Sequence, residues 1–124
     1  MRQAIIVIIV ILISSFNVSA KKRPIKESEY IKTYCKRFGG VIEYKLKDGT
    51  FVDCLTDDEA IEFDFAYKWA ESVGQSLHYS LMSGKNPAVA LIVLSEKEFR
   101  FVKKVININN EFGLNLNIYM IKDL

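Results

Sequence analysis

Residues 60–65 alternate strictly: Ile61, Phe63 and Phe65 fall on one side of an extended chain, Glu62 and Asp64 on the other. That period of two predicts a strand with two carboxylates on one face. Residues 41–46 alternate well enough to be a strand, and Asp48-Gly49 is a hairpin turn signal, so residues 51–55 become the return strand. Two registers compete for this hairpin. A two-residue turn sets Tyr44 across from Asp53, whereas a three-residue loop of Lys47, Asp48 and Gly49, with Gly49 left-handed, sets Glu43 across from Asp53. The second is favoured because glycine takes the left-handed position without steric cost.

The period then changes. Residues 66–82 repeat at helical spacing, and Ala66, Trp69, Ala70, Val73, Leu77 and Leu81 make an apolar stripe expected to face the core. At about 100 degrees per residue, Lys68, Ser72, Gln75 and Tyr79 share an adjacent face, suited to phosphate contacts. Upstream, Ile31, Tyr34, Cys35 and Phe38 predict a first helix. Downstream, residues 88–94 are an unbroken apolar run, as in a central strand buried on both sides. Ser95-Glu96-Lys97-Glu98 has capping-box form and opens a helix carrying Phe99, Val102 and Val105 or Ile106. Gly113 can end that helix, and residues 114–118 alternate as a closing strand.

The carboxylates matter because hard cations such as Mg2+ take oxygen ligands from rigid elements, and a nearby lysine can orient water or offset developing charge. Taken alone, Glu43, Glu62 and Asp64 are equally the wet face of a sheet. Lys68 and Gln75 alone are ordinary helix-surface residues, and Trp69 is a core aromatic. His78, the single histidine, has no partner at ligand spacing, and two cysteines do not make a zinc site.

The order of these segments resembles a known family. Gly40-Val41-Ile42-Glu43, residues 48–56, residues 60–66, Lys68-Trp69 and Gln75-Ser76-Leu77-His78-Tyr79 are similar to the restriction-endonuclease-like PD-(D/E)XK nuclease superfamily, in a small exported type with a Gln-x-x-x-Tyr motif. The resemblance covers most of the chain after residue 26. It implies an α/β fold, an α-β-β-β-α-β core with a mixed central sheet, here followed by an additional helix and strand. It also implies metal-dependent hydrolysis of phosphodiester bonds, with DNA the favoured nucleic acid and Mg2+ or Mn2+ the cofactor. On the family pattern, Asp53 and Glu62 are metal ligands, with Glu43 and Asp64 as further candidates. Gln75 and Tyr79 bind or orient substrate.

The sequence departs from that pattern at Asp64, which occupies the lysine position. Either Lys68, on the adjoining helix, replaces the missing cation, or the chain is a catalytically inactive binding module on the same scaffold.

Composition adds the compartment. The chain has 124 residues and is half hydrophobic, enough for one domain. Arg2, the aliphatic run over residues 5–13 and Val18-Ser19-Ala20 predict a signal peptide over residues 1–20 and a mature domain over 21–124, periplasmic or secreted, with no membrane anchor after cleavage. In an oxidising compartment Cys35 and Cys54 can bridge helix to sheet; otherwise they are two buried thiols. The formal charge of +2 says little about partners, although Lys21, Lys22, Arg23 and Lys26 make a small basic arm.

Overall fold

A computed structural model describes residues 24–122. The expected leader over residues 1–20 and the arm residues Lys21, Lys22 and Arg23 lie outside the described residues. The elements run α1 (Glu27–Phe38), β1 (Val41–Lys45), β2 (Phe51–Leu55), β3 (Glu59–Phe65), α2 (Trp69–Ser83), β4 (Asn86–Val93), α3 (Phe99–Phe112) and β5 (Asn117–Lys122). The order is the expected α-β-β-β-α-β core followed by a helix and a strand. One turn of 3-10 helix, Ala66–Lys68, joins β3 to α2, and another, Glu96–Glu98, precedes α3.

The five strands lie in sequence order. β1–β2 and β2–β3 are antiparallel, while β3–β4 and β4–β5 are parallel. A tight loop joins antiparallel neighbours, whereas parallel neighbours need a crossover, which α2 and α3 supply. α1 covers one face through Tyr30, Ile31 and Cys35, packed on Ile61, Phe63, Ala88, Ala90 and Ile92. On the opposite face Val89, Leu91 and Val93 meet Val102 and Val105 of α3 and Trp69 and Val73 of α2. β4 alternates between these two cores and is buried from Pro87 to Val93, hence its uninterrupted apolar sequence.

The hairpin takes the three-residue loop. Lys45 pairs with Phe51 and Tyr44 with Val52, Leu46 N–H donates to the Thr50 carbonyl at 2.7 Å, and Gly49 has φ 87°. Cys35 and Cys54 form a disulfide with their Cα atoms 5.6 Å apart, tying α1 to β2.

Three local expectations are corrected. α2 buries only part of the stripe read from its apolar residues: Ala66 is buried and Trp69 and Val73 pack against the core, but Leu81 is 71% exposed and Ala70 is exposed, whereas Ser72 and Ser76 are fully buried. Their hydroxyls donate to the carbonyls of Lys68 at 3.1 Å and Val73 at 2.9 Å, so burial leaves neither without a partner. Small side chains there let the helix lie close to the sheet. The closing strand begins at Asn117, three residues later than expected, because the Asn109 side chain both accepts from the Leu116 N–H and donates to its carbonyl. Those groups are therefore occupied before the ladder starts. The capping box is incomplete as well: the Ser95 side chain makes no cap bond, while Glu98 Oε2 accepts from the Leu94 N–H at 2.7 Å.

Candidate active site

Glu62 and Asp64 lie on the face of β3 that α2 covers, opposite the face carrying Ile61 and Phe63, and each is only 5% exposed. Two carboxylates in such a position must be neutralised or paired. Each finds another carboxyl group. Glu62 shares a hydrogen bond with Asp53 of β2, and Asp64 shares one with Glu27 at the start of α1.

Asp53 is positioned by a break in the sheet. The paired register of β2 with β3 runs through Leu55–Ala60 and Cys54–Ile61, and beyond it the Asp53 carboxylate accepts from the Phe63 N–H at 2.9 Å. A side-chain oxygen has taken the place of a ladder carbonyl. Val52 and Cys54, two residues apart, also pack in different layers, Val52 with Leu46 and Ala60, Cys54 with α1. The strand therefore turns over at Asp53. Across from it in register stands Glu43, an exposed residue at φ 48°, a left-handed value rare for glutamate. Glu43 adds to the negative field on Asp53.

Electrostatics follow from burial and crowding of like charges. Burial, then the charge of Asp53, pushes the Glu62 carboxyl up to about 10. Burial, then the charge of Asp64, lifts Glu27 to about 7. Burial raises both Asp53 and Asp64 above the usual carboxylate range, against the lowering effect of their hydrogen bonds to Glu62 and Glu27. Each pair therefore titrates as a unit, with its carboxyl groups held above the ordinary range. Glu62 Oε2 is buried with no hydrogen-bond partner.

Lys68, at the end of the 3-10 turn, brings Nζ to 3.9 Å from Asp64 Oδ1, while Asp64 Oδ1 also accepts from the Phe65 N–H at 2.9 Å. Tyr79 reaches the same region from the second half of α2. It packs beside Leu46, Val52 and Ala60, and burial, followed by the charges of Glu62 and Asp53, raises its phenol to about 12. Gln75 is half-buried on the turn between Ser72 and Tyr79, and among the described residues no hydrogen bond ties it to the carboxylates. His78 lies elsewhere, bound to Asp48 Oδ2 at 2.8 Å. The structure therefore gathers Asp53, Glu62, Asp64, Lys68 and Tyr79, leaves Glu43 at the rim, and does not engage Gln75.

Glu27 is the member that sequence reasoning missed. Its only local signal is an acidic first helical turn, shared with Glu29, and that reads as ordinary complementarity to the helix dipole. Two open clefts, of about 520 Å3 beside Tyr44 and Met82 and about 330 Å3 beside Leu94 and Phe99, contain none of these carboxylates.

Among the described residues no three His, Cys, Asp or Glu side chains converge on one ion-sized centre. Mg2+, however, is commonly held by one or two carboxylates with waters and substrate phosphate completing the shell. The Asp53–Glu62 pair, with its orphaned buried oxygen, fits that smaller requirement.

No family model and no solved structure matches the chain. It is similar to a KilA-N domain-containing protein of Acanthamoeba polyphaga mimivirus, 28% identical over 95 residues. The match covers 76% of this chain and 37% of the viral protein.

Proposed function

We propose that the chain is a metal-dependent nuclease that hydrolyses phosphodiester bonds, with DNA the favoured substrate. The observation that carries this reading is the gathering of Glu27, Asp53, Glu62 and Asp64 from α1, β2 and β3, with Lys68 beside Asp64. Crowding four carboxyl groups together, with Glu62 and Asp64 buried, costs stability, and such a cost is retained where chemistry uses it.

Asp53 and Glu62 are the ligands for Mg2+ or Mn2+, and a bound ion supplies polarisation of the phosphoryl group and an acidified water. Asp53 is held for this by the Phe63 N–H. Lys68, 44% exposed and next to Asp64, orients the water or offsets charge on the phosphoryl oxygens. Glu27 and Asp64, sharing a proton, can take up a proton released at the scissile bond. Tyr79 positions substrate.

One observation favours a second reading, an inactive exported binding module. Lys68 leans on Asp64, so part of its charge is already neutralised. For both readings the disulfide and the leader-type N-terminus support an oxidising, exported setting. None of the described helices is long and apolar enough to cross a membrane.

The test is cleavage of plasmid and single-stranded DNA by the purified protein with Mg2+ or Mn2+, against EDTA and against Glu62→Gln. Divalent-dependent cleavage lost in the variant supports the nuclease. Nucleic-acid binding without cleavage under every metal supports the silent module.

A further inference from the structure

Asp53 and Glu62 ride on two parts of the sheet that a short ladder joins. Glu62 belongs to β3, which pairs with β4 from Glu59–Asn86 to Phe65–Ile92. Asp53 belongs to the β1–β2 hairpin, whose strands pair with each other from Val41–Leu55 to Lys45–Phe51, while β2 meets β3 only at Cys54–Ile61 and Leu55–Ala60. Its outer strand, β1, is a sheet edge, exposed along its length. The separation of the two carboxyl groups is therefore set by how the hairpin sits on the rest of the sheet.

One residue beyond Asp53 the hairpin is fastened. Cys54, fully buried, is bonded to Cys35 of α1, and α1 is seated on β3 by Tyr30 and Ile31 against Ile61 and Phe63. The start of β1 is caught at the same point. The Gly40 N–H donates to the Cys35 carbonyl at 3.0 Å, and a side chain at Gly40 would strike the Cys54 sulfur.

From this geometry we infer that Cys35 and Cys54, with Gly40 leaving them room, are positioning residues for the metal pair: their bridge fixes the backbone from which Asp53 reaches toward Glu62. The inference rests on the nuclease reading and deepens it. The Phe63 N–H aims the Asp53 carboxylate, but the strand that carries it has left the β3 ladder. Neighbouring carboxylates repel, and a ligand set must hold its geometry to within about 0.5 Å. A bond beside the ligand, anchored in α1, meets both demands.

The experiment separates position from stability. Mn2+ binding, read from the free-ion electron paramagnetic resonance signal, and plasmid cleavage are compared for the wild type, Cys35→Ala/Cys54→Ala and Val105→Ala. Val105 lies in the core cluster of α3 and β4, which contains no hairpin residue. All three are measured at a temperature where circular dichroism shows them folded. The expected result is Mn2+ binding about tenfold weaker in the double variant, with cleavage about tenfold slower at limiting Mn2+ and recovering as Mn2+ is raised, while Val105→Ala behaves as wild type. Wild-type affinity in the double variant, or an equal loss in Val105→Ala, overturns the positioning role. Should the double variant not fold, Gly40→Ala, which keeps both cysteines but crowds them, takes its place with the same expectations. If the wild type binds Mn2+ and cleaves while the double variant does both equally well, only this inference falls. If the wild type neither binds Mn2+ nor cleaves DNA with any metal, the nuclease reading falls with it.

Discussion

Glu62 on β3 and Asp53 on β2 lie within hydrogen-bonding reach of each other, and Glu62 Oε2, buried on the α2 side of the sheet, receives no N–H or hydroxyl hydrogen bond. A carboxyl group so placed keeps its proton well above the ordinary carboxylate range and destabilises the fold whenever it must ionise without compensation. A divalent cation supplies that compensation.

If the pair is the catalytic centre, Asp53→Asn and Glu62→Gln each remove a charged ligand while preserving shape. Cleavage with Mg2+ should fall by at least about 100-fold in either variant, with circular dichroism unchanged. Plasmid nicking against time measures this, and full activity in either variant removes the proposed centre.

Stability should depend on pH in a direction set by Glu62. Its folded value of about 10 lies above the ordinary 4.5, so its favourable contribution is complete below about pH 4.5 and is lost as pH rises toward 10. Glu27, raised to about 7, acts in the same direction over a narrower window. Without divalent ions the protein should therefore melt at lower temperature near pH 9 than near pH 5. Glu62→Gln should flatten that slope and raise the melting temperature near pH 8 by on the order of 5 °C. Differential scanning fluorimetry in EDTA reads both, and an unchanged slope in the variant would show that Glu62 is not the group responsible.

Lys68 and Asp64 separate the two explanations of the missing motif lysine. With Nζ 3.9 Å from Asp64 Oδ1, Lys68 can serve the site only if its charge reaches past that carboxylate. Lys68→Ala should then lower the cleavage rate by on the order of 100-fold, and Asp64→Ala by clearly less. Equal tolerance of both changes favours the silent module.

The disulfide joins positions 19 apart in sequence, on α1 and β2, and should be worth about 3 kcal/mol. Replacing both cysteines by serine should lower the urea-unfolding free energy by roughly that amount. Gly40 is the sensitive neighbour: a Cβ added there would meet the Cys54 sulfur, come to 3.0 Å from Cys35 Sγ and 3.1 Å from the Leu55 carbonyl. Gly40→Ala should leave alkylatable thiols under conditions where the wild type shows none; a fully bridged variant of equal stability would contradict the packing.

Local sequence determined those features whose physics is local. The alternation of β3 assigns Glu62 and Asp64 to one face because successive side chains of a strand point to opposite sides, and Gly49 selects the hairpin register because it takes a positive φ freely. The continuous apolar run of β4 likewise marks a strand covered twice. Tertiary structure decided the rest. Which face of α2 turns inward depends on the sheet below it, and there Ser72 and Ser76 prevail over the larger Leu81 because close approach rewards small side chains whose hydroxyls the helix itself satisfies. The start of β5 was set by Asn109, seven residues before Leu116, through a side-chain bond that periodicity does not encode. Glu27 enters the site only because α1 packs so that its first turn meets Asp64, thirty-seven positions later in the chain, and a contact between such distant residues exists in the folded molecule alone.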